Sequence, residues 1–91
     1  MRELRVQVCD ACGHAVFPRR ALCPLCGSRD WREAPAGPGT VEQVTMHPAG
    51  GFVASVALDA GPVVVARAAE GFAPGLRVRL EDDGGAPAAT A

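Results

Sequence analysis

From Leu4 to Val8 the chain alternates apolar and polar residues, Leu-Arg-Val-Gln-Val, a period-two pattern that predicts a short strand running into Cys9. Ala15-Val16-Phe17 is a second short apolar run, stopped by Pro18, and Trp31 among polar neighbours suggests a third. Ala34-Pro35-Ala36-Gly37-Pro38-Gly39 then interrupts both periods; two prolines and two glycines in that span predict a break in any helix or ladder, hence a boundary between modules. Beyond it the pattern is again that of strands. Thr40–Met46 is rich in β-branched residues and ends in the turn His47-Pro48-Ala49-Gly50-Gly51. Phe52–Leu58 closes on Asp59-Ala60-Gly61-Pro62, and Val63–Ala68 and Leu76–Leu80 follow.

In the last of these, Leu76, Val78 and Leu80 point one way and Arg77 and Arg79 the other. Val63-Val64-Val65 is apolar on both faces and predicts a central strand covered on both sides. The apolar residues of these strands read as core. Regular short strands with Gly/Pro turns predict a small barrel or sandwich; a fifth strand must be short or come from splitting one of the four. No segment has a helical period. The final GGAPAATA has nothing obvious to pack with and predicts a disordered tail.

All four cysteines fall in two pairs, Cys9/Cys12 and Cys23/Cys26, spaced C-x2-C-x10-C-x2-C. Two such pairs at this separation point to one tetrathiolate metal site, and two knuckles joined by short strands make a zinc ribbon. Gly13 and Gly27 each follow the second cysteine of a pair, where the tight turn needs the freedom of glycine. Four thiolates leave no open position, so the site is structural rather than catalytic. Zinc is the expected ion, although iron is also compatible with tetrahedral sulfur. A disulfide fits a reducing compartment poorly, and thioredoxin-type chemistry needs a helix start in a βαβ unit that neither pair has. His14, beside the first knuckle, reads as a neighbour of the site or a surface residue rather than a metal ligand, and His47 as a loop residue with ligand contact as the minor alternative. Arg19 and Arg20 lie between the pairs, either as solvated cations that soften the negative field of the thiolates or as ligand contacts.

The chain has 91 residues and formal charge -1, its nine cations all arginine. Up to Pro38 six arginines face four acidic residues, a formal +2; after it three face six, a formal -3. Neither part is the basic surface of a phosphate-backbone binder, and three Phe, one Trp and no Tyr offer few stacking platforms. Binding to nucleic acid is therefore disfavoured, although zinc ribbons serve that role elsewhere. A few arginines still suffice for a small phosphorylated ligand. MRELRVQV has no apolar region of a secretory signal, and Pro62–Ala66, the longest apolar run, is too short to span a bilayer. A cytoplasmic protein without membrane contact is expected. No nucleophile–base set, phosphate loop or motif of paired carboxylates is present; Glu81-Asp82-Asp83 reads as a solvated strand end.

Taken in order, Cys9-Asp10-Ala11-Cys12-Gly13, Phe17-Pro18-Arg19-Arg20, Cys23-Pro24-Leu25-Cys26-Gly27-Ser28 and Gly37-Pro38-Gly39-Thr40-Val41 resemble the acyl-CoA-associated family that joins a rubredoxin-like zinc ribbon to an OB-fold. Its pattern runs C-x-x-C-G, aromatic-Pro-Pro-Arg, C-P-x-C-G-S and G-x-G-T-V; Val53–Pro62 fits its later Val-Ala-x-Val-x-Leu-Asp-x-Gly-Pro segment, and the match spans about residues 7 to 81. The resemblance implies an all-β chain: a ribbon over residues 1–38, an OB-fold-like barrel over 39–83 and the tail 84–91. It implies a non-catalytic, auxiliary or scaffold subunit of a thiolase-like, ketosynthase-like or hydratase-like enzyme in lipid or polyketide metabolism, with structural zinc on Cys9, Cys12, Cys23 and Cys26. A CoA ester becomes a candidate ligand, with Arg20 at the motif arginine, Arg19 at a position often proline, and Phe17 at the motif aromatic. A nucleic-acid module and a rubredoxin-like electron carrier are the alternatives. Only eight residues precede Cys9, so the family's N-terminal helical segment is expected to be missing, and the loop at His47–Gly51 is short for the family.

Overall fold

The computed structural model describes residues 2–91 and contains nine strands and, among these residues, no helix. They are β1 (Arg2–Glu3), β2 (Arg5–Cys9), β3 (Ala15–Val16), β4 (Trp31–Pro35), β5 (Pro38–Met46), β6 (Phe52–Leu58), β7 (Val63–Ala68), β8 (Arg77–Asp83) and β9 (Ala86–Thr90). The ribbon is a three-stranded antiparallel sheet in the order β3-β2-β4. The second sheet runs β1-β8-β5-β6-β7-β9 and closes through β8–β9, so β5, β6, β7, β9 and β8 form a five-stranded barrel of OB-fold type.

The alternation seen in the sequence becomes the inside and outside of this barrel. Val41, Ala54, Val56, Val64, Ala66, Val78 and Leu80 are buried within it. A register shift between Val41 and Gln43 bends β5, letting its start pair with β8 while the strand continues along β6. Gly39 sits where β5 passes closest to β6: a Cβ there would lie 2.7 Å from Val56 Cγ1 and 2.8 Å from the Ala57 carbonyl oxygen. Ribbon and barrel share one hydrophobic core, because Leu4, Val6, Val8 and Ala15 belong to the same buried cluster as the barrel residues.

Three expectations change. The terminal segment is not a disordered tail: β9 pairs with β8 from Asp83↔Ala86 to Arg79↔Thr90 and in parallel with β7 at Arg67 and Ala68, with Ala89 buried. It is the missing fifth strand, and its small side chains suit the place where the barrel closes. The Pro/Gly segment does not separate the modules across its whole length. Pro35 ends β4 opposite Arg5 and Pro38 begins β5 opposite Arg79, positions where a strand end needs no donated N–H. The break shrinks to Ala36-Gly37, with Gly37 at φ 72° and the Ala36 N–H donating to the Leu4 carbonyl (2.8 Å). Finally, β7 is not covered on both sides: Val64 is buried while Val63 and Val65 face outward, 52% and 61% exposed. Three successive valines look alike in sequence, but the pleat sends the middle one to the opposite face.

Candidate metal centre and the adjoining grooves

The two knuckles are built alike. In the first, the Cys9 N–H donates to the His14 carbonyl (2.9 Å) and the Gly13 N–H to the Cys9 carbonyl (2.8 Å). In the second, the Cys23 N–H donates to the Ser28 carbonyl and the Gly27 N–H to the Cys23 carbonyl, both at 2.9 Å. Gly13 and Gly27 have φ of 80° and 76°, a conformation that side-chain-bearing residues rarely adopt. Each turn folds its two sulfurs to one side, and the four meet: all Sγ atoms lie within 4.8 Å of one another. Cys9 and Cys26 are 3.6 Å apart, Cys12 and Cys23 3.5 Å. Zinc–sulfur bonds of about 2.3 Å in a tetrahedron place sulfurs about 3.8 Å apart, so the donor set fits one tetrahedral ion.

The same geometry sets the protonation of the thiols. Burial raises the pKa of Cys23, but the N–H groups of Cys26 and Leu25 pointing at its sulfur outweigh it, with help from the Cys12 and Cys26 thiols, and the pKa falls to about 6. Cys9 is likewise lowered, burial being overcome by the Cys12 and Ala11 N–H groups. At Cys12 the His14 N–H favours the thiolate, yet burial and the other three sulfurs prevail and push it up to about 12. Cys26 is also raised: the Ser28 N–H is outweighed chiefly by Cys9, with burial and Cys23 adding to it. Four thiolates this close repel one another, so a cation is what permits full deprotonation.

Around the knuckles, side chains tie the ribbon together. Trp31 Nε1 donates to the Ala21 carbonyl (3.1 Å), holding the loop before the second pair, and Arg32 Nη1 to Asp10 Oδ1 (2.9 Å). Buried Gln7 accepts the Arg20 N–H on its Oε1 (2.8 Å), fixing the segment between the knuckles to β2. Gln7 was not legible as a site residue; its sole sequence signal is a polar residue in a strand that turns out to be buried on both faces.

Phe17, Arg19 and Arg20, close in sequence, divide between two grooves. Phe17 packs against the common core and lines both. Arg19 lines the groove that also holds Arg5, Val6, Gln7 and Glu33, where it and Arg5 share the Glu33 carboxylate at 3.7 and 3.2 Å. Arg20 lines the other, with His14, Val16 and Pro24 of the ribbon and Pro62 and Val63 of the barrel. His47 stands apart from the sulfurs, in the hairpin between β5 and β6, where its Nδ1 accepts the Ala49 N–H (3.0 Å).

Four convergent cysteines fit to hold one metal ion, on a small ribbon joined through one core to an OB-like barrel, define an all-β protein with a candidate metal centre. Residues 2–32 match the family model described as the ChsH2 rubredoxin-like zinc ribbon domain. Across 65 residues the chain is 42% identical to a DUF35 domain-containing scaffold protein of Pyrococcus furiosus, covering 60% of this chain and 48% of that protein. The chain thus spans about half the length of that curated relative. A solved structure, an Ltp2–ChsH2(DUF35) aldolase, superposes with a TM-score of 0.71 at 32% identity, over 96% of this chain and 81% of its counterpart. The chain belongs to the DUF35 family, the zinc-ribbon and OB-fold family of ChsH2.

Proposed function

We propose that this protein is a non-catalytic accessory subunit of an acyl-CoA-handling enzyme complex, its partner a thiolase-like, ketosynthase-like or hydratase-like enzyme. The observation that carries the reading is the likeness to the Ltp2–ChsH2(DUF35) aldolase, which extends over nearly the whole chain rather than the ribbon alone. The Pyrococcus relative, named a scaffold protein, points the same way. Cys9, Cys12, Cys23 and Cys26 hold a structural zinc in this reading, in the reducing cytoplasm where unpaired thiols persist. The ion's role is to fix the ribbon, since a closed tetrahedral site leaves no position for substrate.

The segment between the knuckles then presents the ligand contacts. Arg20 carries a cation into a groove with no carboxylate among its lining residues, which suits a phosphate of a CoA ester. Arg19 is less available because Glu33 lies beside it. Phe17 supplies the apolar wall common to both grooves.

Co-expression with candidate thiolase-like, ketosynthase-like and hydratase-like enzymes tests the proposal. A stable complex is expected at size-exclusion chromatography, and Arg20→Ala should weaken CoA-ester binding or assembly while leaving zinc content unchanged. A protein that elutes alone beside every such enzyme refutes the accessory role. Elemental analysis of protein purified without added metal should find one zinc per chain; stoichiometric, redox-active iron would move the reading to an electron carrier.

A further inference from the structure

The ribbon sheet ends on β3, so the outer edge of Ala15–Val16 carries no strand. Strand β7 pairs with β6 along nearly its whole length but with β9 only at Arg67 and Ala68, which leaves the other edge of Val63–Ala66 without a partner. The β3 edge and the Val63 end of the β7 edge border one groove, whose walls include Ala15 and Val16 on the ribbon side and Pro62 and Val63 on the barrel side. Open edges are ordinarily guarded by charge, proline or a bulge, because their free N–H and C=O groups template further pairing. Val63–Ala66 has none of these within it. Its outward valines, Val63 and Val65, are both more than half exposed, and opposite them on β6 stand the uncharged Ala57 and Ser55.

Charge marks the ends of this edge. Arg20 lines the groove at the Val63 end and Arg67 follows the open stretch at the other. Neither makes an ion pair among the described residues, and no carboxylate lines the groove. We propose that the β7 edge is a strand-addition site that takes an extended segment of the partner enzyme, apolar at alternate positions and acidic at both ends. Backbone pairing supplies affinity, Val63 and Val65 select apolar side chains, and the two arginines set the acidic ends, Arg20 doing so when its groove holds no CoA ester. A second copy of this chain fits less well: antiparallel pairing of β7 with itself would bring each Arg67 toward the Arg20 end of its neighbour. The partner's being an enzyme rests on the accessory-subunit reading; the edge itself does not.

The test uses the full zinc-loaded chain and a short synthetic peptide with valine at alternate positions and aspartate at each end, followed by amide NMR. The peptide should shift the Val63–Arg67 amides, and a lysine-ended version should not. Val65→Lys, at a half-exposed position, should weaken binding about tenfold, the loss of one anchoring contact. Arg67→Glu should reverse the preference toward the lysine-ended peptide. Unmoved β7 amides would overturn the site, as would a concentration-dependent dimer of the free chain that Val65→Lys abolishes. Co-expression separates the two readings. An enzyme retained equally by wild type and Val65→Lys sinks the strand-addition site and leaves the accessory role standing. No enzyme retained by wild type, with the peptide bound on β7, sinks the accessory role and leaves the site.

Discussion

Gln7 accepts the Arg20 N–H on its side-chain oxygen at 2.8 Å, across 13 positions of sequence. Gln7 is 7% exposed, the one buried polar residue among those described. Its bond anchors the segment that carries the arginine motif. Gln7→Ala leaves that N–H without its partner and should cost about 1 kcal/mol of stability. Urea unfolding measures the loss, and amide exchange at Arg20 should quicken while metal content stays at the wild-type value.

Metal uptake should be coupled to proton release. Cys12 at about 12 and the raised Cys26 hold protons at neutral pH that a bound ion must displace, whereas Cys23 at about 6 has largely lost its own. Apparent zinc affinity should therefore fall as pH falls, because protons compete for the sulfurs. Zinc titration in weakly buffered solution at neutral pH should acidify it, and Cys12→Ser should lose both stoichiometric zinc and the fold of the ribbon.

Gly39 belongs to the Gly-Pro-Gly-Thr-Val entry to β5, and its role is close approach. A methyl group there meets Val56 Cγ1 and the Ala57 carbonyl at under 3 Å. Gly39→Ala should destabilise the chain by about 2 kcal/mol, in the range for an overpacked core, read from the urea midpoint. Gly61→Ala, where a Cβ meets nothing within 4 Å, separates crowding from the strain of its positive φ of 126°.

Removing residues 86–91 should open the barrel. The deletion strips the antiparallel partner from Arg79–Asp83 and the parallel one from Arg67 and Ala68. A broadened, less cooperative thermal transition is expected by circular dichroism; an unchanged transition would mean that closure contributes nothing.

On the barrel surface, Arg77 grips Asp59 with both terminal nitrogens, at 2.8 and 2.5 Å, and also reaches Thr40 Oγ1. The bond from Arg77, aided by its charge and opposed by burial, holds the Asp59 carboxyl below its usual 3.8. A depressed carboxylate adds stability in full above its ordinary pKa, and that stability disappears as pH falls through the lower folded value. Asp59→Asn should therefore reduce the drop in melting temperature between neutral pH and pH below 3, with little change in the core.

The cysteine site was almost wholly legible in the sequence, because knuckle geometry is local: two thiols three residues apart and a glycine after them are enough to build each half. Most barrel strands were legible too, from β-branched runs closed by Gly/Pro turns and from the alternation in Leu76–Leu80, where Val78 and Leu80 are buried as read while Leu76 lies outside β8 and is exposed. What the tertiary structure decided is where remote segments meet. Small, weakly patterned side chains in Ala86–Thr90 gain a strand's pairing only once β8 and β7 stand beside them. The Val63-Val64-Val65 triplet acquired an outside because none of the described residues covers that face of β7. Phe17, Arg19 and Arg20 read as one motif in the sequence, but the segment after β3, fixed to β2 through the Arg20 N–H and Gln7, places Arg19 in one groove and Arg20 in another, with Phe17 lining both. Local chemistry is written in spacing; pairing and exposure are properties of the assembled barrel.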